Sequence, residues 1–135
     1  MAASYLLDSN TIIAGIKGEP RALLNRLAGL ASSRLFISAL VFAELQLGAE
    51  KSSQTARAHS VLQVFIDGME VLPFGAEDAM AYARIRAALE RKGQTIGPLD
   101  MLIAAQAFAR DLVMVTDNVR EFKRVPGLMV ENWLR

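Results

Sequence analysis

The sequence contains no cysteine and only one histidine, His59. The lack of cysteine excludes disulfide bonds, thiolate nucleophiles and cysteine-ligated zinc. One histidine leaves little material for a catalytic triad or a histidine-rich metal centre. Carboxylates are therefore the main groups left for chemistry, and a chain without disulfides suits a reducing cytoplasm, where we expect it to act.

Long apolar runs and a dominant charge are also missing. The most apolar stretches, 35–49 and 96–109, fall short of the roughly 20 residues of a membrane span, and each contains a carboxylate. No basic segment precedes the first apolar run, so no signal peptide is expected. A net charge of +1 and a pI near 8.1 provide no global basic field for nucleic acid.

The length and apolar content set the scale of the protein. The 135 residues fit a single domain, which we predict to span 1–135. Hydrophobic residues make up 53% of the chain and the mean hydropathy is +0.27, which is high for so small a protein. We therefore expect a partner, such as a second copy of the chain, to bury some apolar surface.

Short apolar runs alternate with helical patterns along the chain. The runs typical of strands are 5–7, 35–37 and 112–115, with weaker candidates at 71–74 and 128–130. The predicted helices run from Pro20 through Leu30, from a Ser38 cap through Leu47, over 55–66, over 76–92 with Gly93 as its stop, and from Pro98 onward. This alternation predicts an α/β layered fold around a mainly parallel sheet.

Four carboxylates lie at the ends or starts of these elements. Asp8 directly follows the first strand, and Asp117 ends the run LVMVTD in the same way. Because parallel strands end at the same edge of a sheet, these two acids are expected to be neighbours. Glu44 lies among apolar residues of the helix after Ser38, and Asp100 lies in the first turn of the helix from Pro98.

Each acid alone has a simpler interpretation. Asp8 and Asp117 can cap the helices that follow them, and Asp100 can be a first-turn acid aligned with a helix dipole. Glu44 can lie at a partly solvated edge. Together the four acids would repel each other in one pocket, which favours a hard divalent cation such as Mg²⁺ or Mn²⁺ rather than zinc.

The same residues resemble a known family. The segments LLDSNTII, ALVFAELQLG, GQTIGPLDMLIAAQA and LVMVTDNVREFKRVPGLMVENW look like successive blocks of the PilT N-terminus (PIN) domain, in particular the VapC ribonuclease toxins of type II toxin–antitoxin pairs. The resemblance covers nearly the whole chain. It implies a three-layer α/β/α fold and Mg²⁺- or Mn²⁺-dependent hydrolysis of RNA by a metal-activated water, which leaves a 5′-phosphate and a 3′-hydroxyl.

The resemblance also implies roles for individual residues. The catalytic acids are Asp8, Glu44, Asp100 and Asp117. Asp8, Asp100 and Asp117 are the expected metal ligands, although the family often carries asparagine at the fourth acid. Thr116, Asn10 and Asn118 match supporting polar positions, and turn or cap formation is their alternative role.

The expected partners are RNA, a VapB-like antitoxin and a second copy of the chain. Basic residues near the acidic motifs are candidates for RNA contact, with a solvated helix face as the alternative: Arg86, Arg91, Lys92, Arg120, Lys123 and Arg124. Apolar candidates for partner burial, most of which we expect in the core, are Leu23, Leu24, Leu27, Val61, Leu62 and Phe65. The main alternative function is a catalytically weak regulator that acts with a DNA-binding antitoxin. A phosphate-accepting receiver is a further alternative, but it normally has adjacent acids after its first strand and a lysine at the end of a late strand, and this sequence has neither.

Overall fold

The computed structural model describes residues 2–135, and within them five strands form one parallel sheet. The strands are β1 (Tyr5–Leu7), β2 (Leu35–Ser38), β3 (Glu70–Leu72), β4 (Val113–Val115) and β5 (Val130–Glu131). Their order across the sheet is β3-β2-β1-β4-β5. The central strand is therefore also the first in the chain.

Helices cover both faces of this sheet and complete a three-layer α/β/α fold. In chain order they are α1 (Ser9–Lys17), α2 (Arg21–Ala28), α3 (Ala39–Glu50), α4 (Thr55–Ile66), α5 (Ala76–Arg91), α6 (Pro98–Ala109) and α7 (Val119–Phe122), with a 3₁₀ turn at Ser32–Arg34. The predicted α/β class and parallel sheet are confirmed. No helix in residues 2–135 has the length and apolar content needed to cross a membrane.

Local signals predicted several helix boundaries correctly. The helix predicted at 55–66 is α4, and Pro98 is the first residue of α6, where its missing N–H costs nothing. Ser38 accepts a hydrogen bond of 3.1 Å from the Leu40 amide and caps α3 as expected. Gly93 follows α5 with a φ of +63°, a backbone conformation that favours glycine at a helix stop.

Other boundaries were predicted wrongly, each for a local reason. The strand expected at 71–74 is Glu70–Leu72, because Pro73 has no N–H to continue the ladder. The strand expected at 112–115 starts at Val113, because the Leu112 amide still donates to Ala107 at the end of α6.

Three further elements differ from expectation. The strand expected at 128–130 is Val130–Glu131, and α2 starts one residue after Pro20 and ends at Ala28 rather than continuing to 30. The helix that Asp117 was considered to cap is the short α7, but its N-cap residue is Asn118 rather than Asp117. All three differences lie at chain segments of only a few residues, where the surrounding contacts decide the conformation.

The sheet order creates a topological switch point beside β1. From β1 the chain moves outward to β2 and β3, then returns to place β4 on the other side of β1. Leu7 is in register with Val115, and the Asp8 amide donates a 3.0 Å hydrogen bond to the Val115 carbonyl. Asp8 and Thr116 therefore leave the sheet side by side, at the position where ligands bind in such folds.

The two strands that lead to this edge lie in the core. Leu6, Leu7, Met114 and Val115 on the two central strands are completely buried, as strands covered on both faces must be. Of the apolar residues considered for partner burial, Leu23 and Leu62 belong to the core, whereas Val61 is 40% exposed.

Candidate active site

Asp8 is both a helix cap and the centre of the acidic site. Its Oδ1 accepts a 2.9 Å hydrogen bond from the Thr11 amide in the first turn of α1, and its Oδ2 accepts one from the Thr116 hydroxyl. Only 8% of the residue is exposed. The capping role expected for an isolated acid is therefore present, and it fixes the carboxylate at the switch point.

Competing effects act on the charge of Asp8. Burial is the largest and raises its pKa, while the hydrogen bonds from Thr116 and Thr11 act to lower the pKa. Repulsion by Asp117 adds a smaller increase. The balance is a raised pKa, so keeping Asp8 ionised costs the folded protein free energy. A nearby cation would reduce that cost.

Thr116 connects the two central strand ends through its hydroxyl group. It is fully buried, donates to Asp8 and accepts a 3.0 Å hydrogen bond from the Asn118 amide. A hydroxyl can donate one hydrogen bond and accept others, so both contacts are satisfied at once. Thr116 therefore orients Asp8 and shapes the turn that follows β4.

Glu44 and Asp100 approach Asp8 from two helices. Glu44 lies on α3 and is exposed, as is Ala43 beside it, so the partly solvated edge that was the alternative for this acid is the one observed. Asp100 lies in the first turn of α6 and is half-buried. Desolvation is the largest cause that raises both pKa values, followed for Glu44 by Asp100 and then Asp8. These three acids form one electrostatic cluster.

Asp117 lies beside this cluster. It is exposed, and its carboxylate accepts a 3.3 Å hydrogen bond from the side-chain amide of Asn10. The two residues border a cleft of about 540 Å³ together with Lys17 and Glu19. Asp117 contributes to the raised pKa of Asp8 but is not among the causes that raise the pKa of Glu44 or Asp100.

A fifth acid, Glu121, was missed by the sequence analysis. It lies on α7, is half-buried, and after desolvation is the largest cause of the raised pKa of Asp100. The Asn118 side-chain amide donates a 3.2 Å hydrogen bond to it. The spacing of Asn118 and Glu121 matches an N-cap followed by an acid at the third helical position, which is a signal that could have revealed both α7 and its acid.

The chemistry of this donor set fits a hard divalent cation. The candidate ligands are all carboxylates, which Mg²⁺ and Mn²⁺ prefer, and positive charge would relieve their mutual repulsion. In the described part of the chain, however, no three His, Asp or Glu side chains stand close enough together to hold one ion. The acids share one electrostatic neighbourhood, and cation binding requires their side chains to converge.

The basic residues near the acidic motifs differ in their contacts. Arg86 is bound within α5 to Tyr82 and Glu90. Arg124 donates a 2.9 Å hydrogen bond to the Thr95 carbonyl. The other four candidates for RNA contact are exposed: Arg91, Lys92, Arg120 and Lys123.

Comparison with known proteins identifies the family. The PIN domain family matches residues 5–128. The chain is 43% identical over 129 residues to the tRNA(fMet)-specific endonuclease VapC of Salmonella typhimurium, covering 96% of this chain and 97% of the relative. The chain belongs to the VapC ribonuclease family of PIN domains. Ribonuclease VapC2 of Rickettsia felis is a further VapC relative, 40% identical over 130 residues, with 96% and 97% of the two chains covered.

Solved VapC structures share the fold closely. The DNA-bound VapBC complex of Salmonella typhimurium contains a chain that matches with a TM-score of 0.90 at 42% identity, covering 98% of this chain and 99% of that one. VapBC-1 from nontypeable Haemophilus influenzae matches with a TM-score of 0.88 at 30% identity, covering 97% and 98%. The expected family is confirmed, which excludes the phosphate-accepting receiver.

Proposed function

We propose that this chain is a divalent-cation-dependent endoribonuclease and the toxin of a type II toxin–antitoxin pair. The observation that carries the proposal is the position of Asp8, fixed by Thr11 and Thr116 at the switch point, where its charge helps to raise the pKa values of Glu44 and Asp100. The ribonuclease names of VapC relatives support the same activity. We also propose that residues 1–135 form one domain that acts in the cytoplasm, a reducing compartment that suits a chain without cysteine.

The acids have different roles in this proposal. Asp8 and Asp100 would hold the cation, and Glu44, Asp117 and Glu121 complete the acidic site. A bound Mg²⁺ or Mn²⁺ would polarise the scissile phosphate and lower the pKa of water. Glu44 is exposed and has a raised pKa, so its carboxylate is suited to accept a proton from the attacking water.

The supporting residues hold this arrangement. Thr116 prevents rotation of Asp8, and Asn118 positions Glu121 through its side-chain amide. Asn10 holds Asp117 at the wall of the 540 Å³ cleft, which Lys17 also lines.

We propose initiator tRNA as the first substrate to test and a VapB-like protein as the partner. Two relatives, at 43% and 40% identity, are named tRNA(fMet)-specific endonucleases, and the similar solved structures are VapBC complexes. We further propose that the chain forms a homodimer, as its high apolar content suggests. The molar mass measured by light scattering tests that assembly.

The central experiment is cleavage of an RNA pool that contains initiator tRNA, with Mg²⁺, with Mn²⁺ and with excess chelator. We expect cleavage only with a cation, and a loss of at least about 100-fold in Asp100→Asn, because that change removes a charge the reaction needs. Glu90→Gln, on the exposed face of α5, is the matched control. Cleavage in chelator would contradict the cation mechanism, and an inactive wild-type protein would favour the regulator alternative.

A further inference from the structure

Arg124 contacts two segments that carry acids of the site. Its guanidinium Nη1 donates a 2.9 Å hydrogen bond to the carbonyl of Thr95, in the loop between α5 and α6. Its own amide donates a 3.0 Å hydrogen bond to the carbonyl of Glu121. Thr95 precedes Asp100 by five residues. Arg124 therefore connects the backbone that leads to Asp100 with the backbone of Glu121.

The loop at Thr95 depends on such contacts for its position. Gly93 has a φ of +63°, and Gly97 is the N-cap residue of α6 without a side chain that could cap the helix. Glycines at both ends leave the intervening backbone many alternative conformations. The Gln94 amide is bound to α5 and Ile96 is buried, while Arg124 holds the carbonyl that lies between them.

The two acids that Arg124 brings together repel each other. Asp100 lies in the first turn of α6 and Glu121 lies on α7, and both are carboxylates, so separating the two segments would relieve repulsion between their negative charges. A hydrogen bond from an arginine to a carbonyl across 29 residues of chain opposes that separation. Arg124 is half-buried and engaged with the backbone, which distinguishes it from Arg120 and Lys123 on the same turn.

We propose that Arg124 is a positioning residue that sets the spacing of Asp100 and Glu121 and thereby the affinity of the site for a divalent cation. The inference rests on the proposed function and deepens it. It differs from the expectation for a basic residue near the site, which is direct contact with RNA phosphate. The two roles predict different changes when the side chain is shortened.

The experiment compares Arg124→Gln and Arg124→Lys with Lys123→Gln, a neighbouring exposed residue that serves as matched control. Mn²⁺ binding is measured by calorimetry on the RNA-free protein, and amide hydrogen exchange of residues 93–97 is measured in chelator. We expect Arg124→Gln to weaken Mn²⁺ binding by about tenfold, the usual effect of losing a residue that orients metal ligands. The amides of residues 93–97 should exchange faster in this variant. Lys123→Gln should match the wild type in Mn²⁺ affinity and in amide exchange.

Arg124→Lys should show intermediate Mn²⁺ affinity, because an ammonium group can still donate to the Thr95 carbonyl. At saturating Mn²⁺, the KM of Arg124→Gln for RNA should stay within about twofold of the wild type, since no phosphate contact is lost. Unchanged Mn²⁺ affinity with a raised KM would overturn the proposal and assign Arg124 to RNA contact. If Arg124→Gln does not fold, Arg124→Lys provides the test. Faster amide exchange in the loop of this variant, combined with wild-type Mn²⁺ affinity, would also overturn the proposal.

The same data separate this inference from the proposed function. If the wild-type protein binds Mn²⁺ and cleaves RNA but Arg124→Gln binds Mn²⁺ equally well, only the role of Arg124 fails. If the wild-type protein neither binds Mn²⁺ nor cleaves, the proposed function itself fails.

Discussion

At the scale of single residues, the stability of the site depends on how buried charge is compensated. Asp8 receives one hydrogen bond from the backbone of α1 and one from a side chain after β4. A carboxylate at this depth that lost a donor would keep its desolvation cost without the matching gain. The hydroxyl of Thr116 therefore compensates part of the cost of burying the Asp8 charge.

Replacing Thr116 with Val tests this dependence. Thr116→Val keeps the side-chain shape but removes the hydroxyl that donates to Asp8 and accepts from the Asn118 amide. We therefore expect a loss of about 1–3 kcal/mol in the free energy of unfolding. Thr116→Ser retains the hydroxyl and should keep most of the stability and of the RNA cleavage. Chemical denaturation and cleavage assays measure both; equal behaviour of the two variants would refute the role of the hydroxyl.

The raised pKa values of Asp8, Glu44 and Asp100 predict how stability changes with pH in chelator. An acid whose pKa is higher in the folded protein binds its proton more tightly there, so its stabilising contribution is present at low pH. That contribution is lost as the pH rises through the folded pKa. At pH 7 the ionised cluster should therefore destabilise the cation-free protein.

Asp100→Asn isolates this effect. In chelator at pH 7 the variant should have a higher Tm than the wild type, and the difference should shrink as the pH falls below the raised pKa of Asp100. Addition of Mn²⁺ should raise the Tm of the wild type more than that of the variant. Thermal scans across pH measure these shifts, and a variant less stable than the wild type at pH 7 would contradict the predicted sign.

At the scale of elements, the approach of α1 to α4 depends on one glycine. A Cβ atom at Gly15 would lie 2.4 Å from the Phe65 ring, far inside normal contact distance. Since Asp8 is the N-cap residue of α1, this packing also affects how the helix leaves the acidic site. The small residue permits a close helix–helix contact that a larger one would prevent.

Gly15→Ala should therefore destabilise the protein by about 1–3 kcal/mol, the usual cost of overpacking a core. Gly48 provides the matched control, because it is also helical but a Cβ atom added there would have no other atom within 4 Å. Gly48→Ala should stabilise by about 0.5–1 kcal/mol through helix propensity. Urea denaturation measures both changes, and Phe65→Leu should rescue much of the loss in Gly15→Ala if the ring is its cause.

At the scale of the whole molecule, a cleft between three helices joins an apolar surface to the acidic site. It encloses about 650 Å³ between α1, α3 and α4, and its lining includes Ile13, Val61 and Leu62 as well as Glu44. An apolar cleft that reaches Glu44, a candidate catalytic acid, is suited to a protein segment that covers the proposed site and inhibits it. We expect the proposed antitoxin to bind there.

Val61→Asp places a charge on the wall of this cleft. Val64→Asp is the control, because it places a charge on the same helix at a residue that is 77% exposed and lies outside the cleft. Val61→Asp should weaken antitoxin binding by about tenfold or more, the effect expected for an unpaired charge in an interface. RNA cleavage by the free protein should be unchanged in both variants. Co-purification and calorimetry measure the binding, and equal losses in the two variants would argue against the cleft.

The sequence by itself determined the features that depend on local chemistry. The α4 helix, the Pro98 start of α6 and the Ser38 cap follow from apolar spacing and from which residues satisfy free backbone groups. Parallel strands ending in acids predicted where Asp8 and Asp117 would lie. The quoted motifs also identified the family, which the comparisons confirm.

Only the tertiary structure decided which charges act on each other. Glu44 is exposed although its sequence neighbours are apolar, because the side of a helix that meets the core is determined by packing. Glu121 lies close enough to Asp100 to raise its pKa, whereas Asp117 is held by the Asn10 side chain and contributes to the raised pKa of Asp8. Electrostatic coupling depends on distance and burial in space, which positions along a chain do not specify.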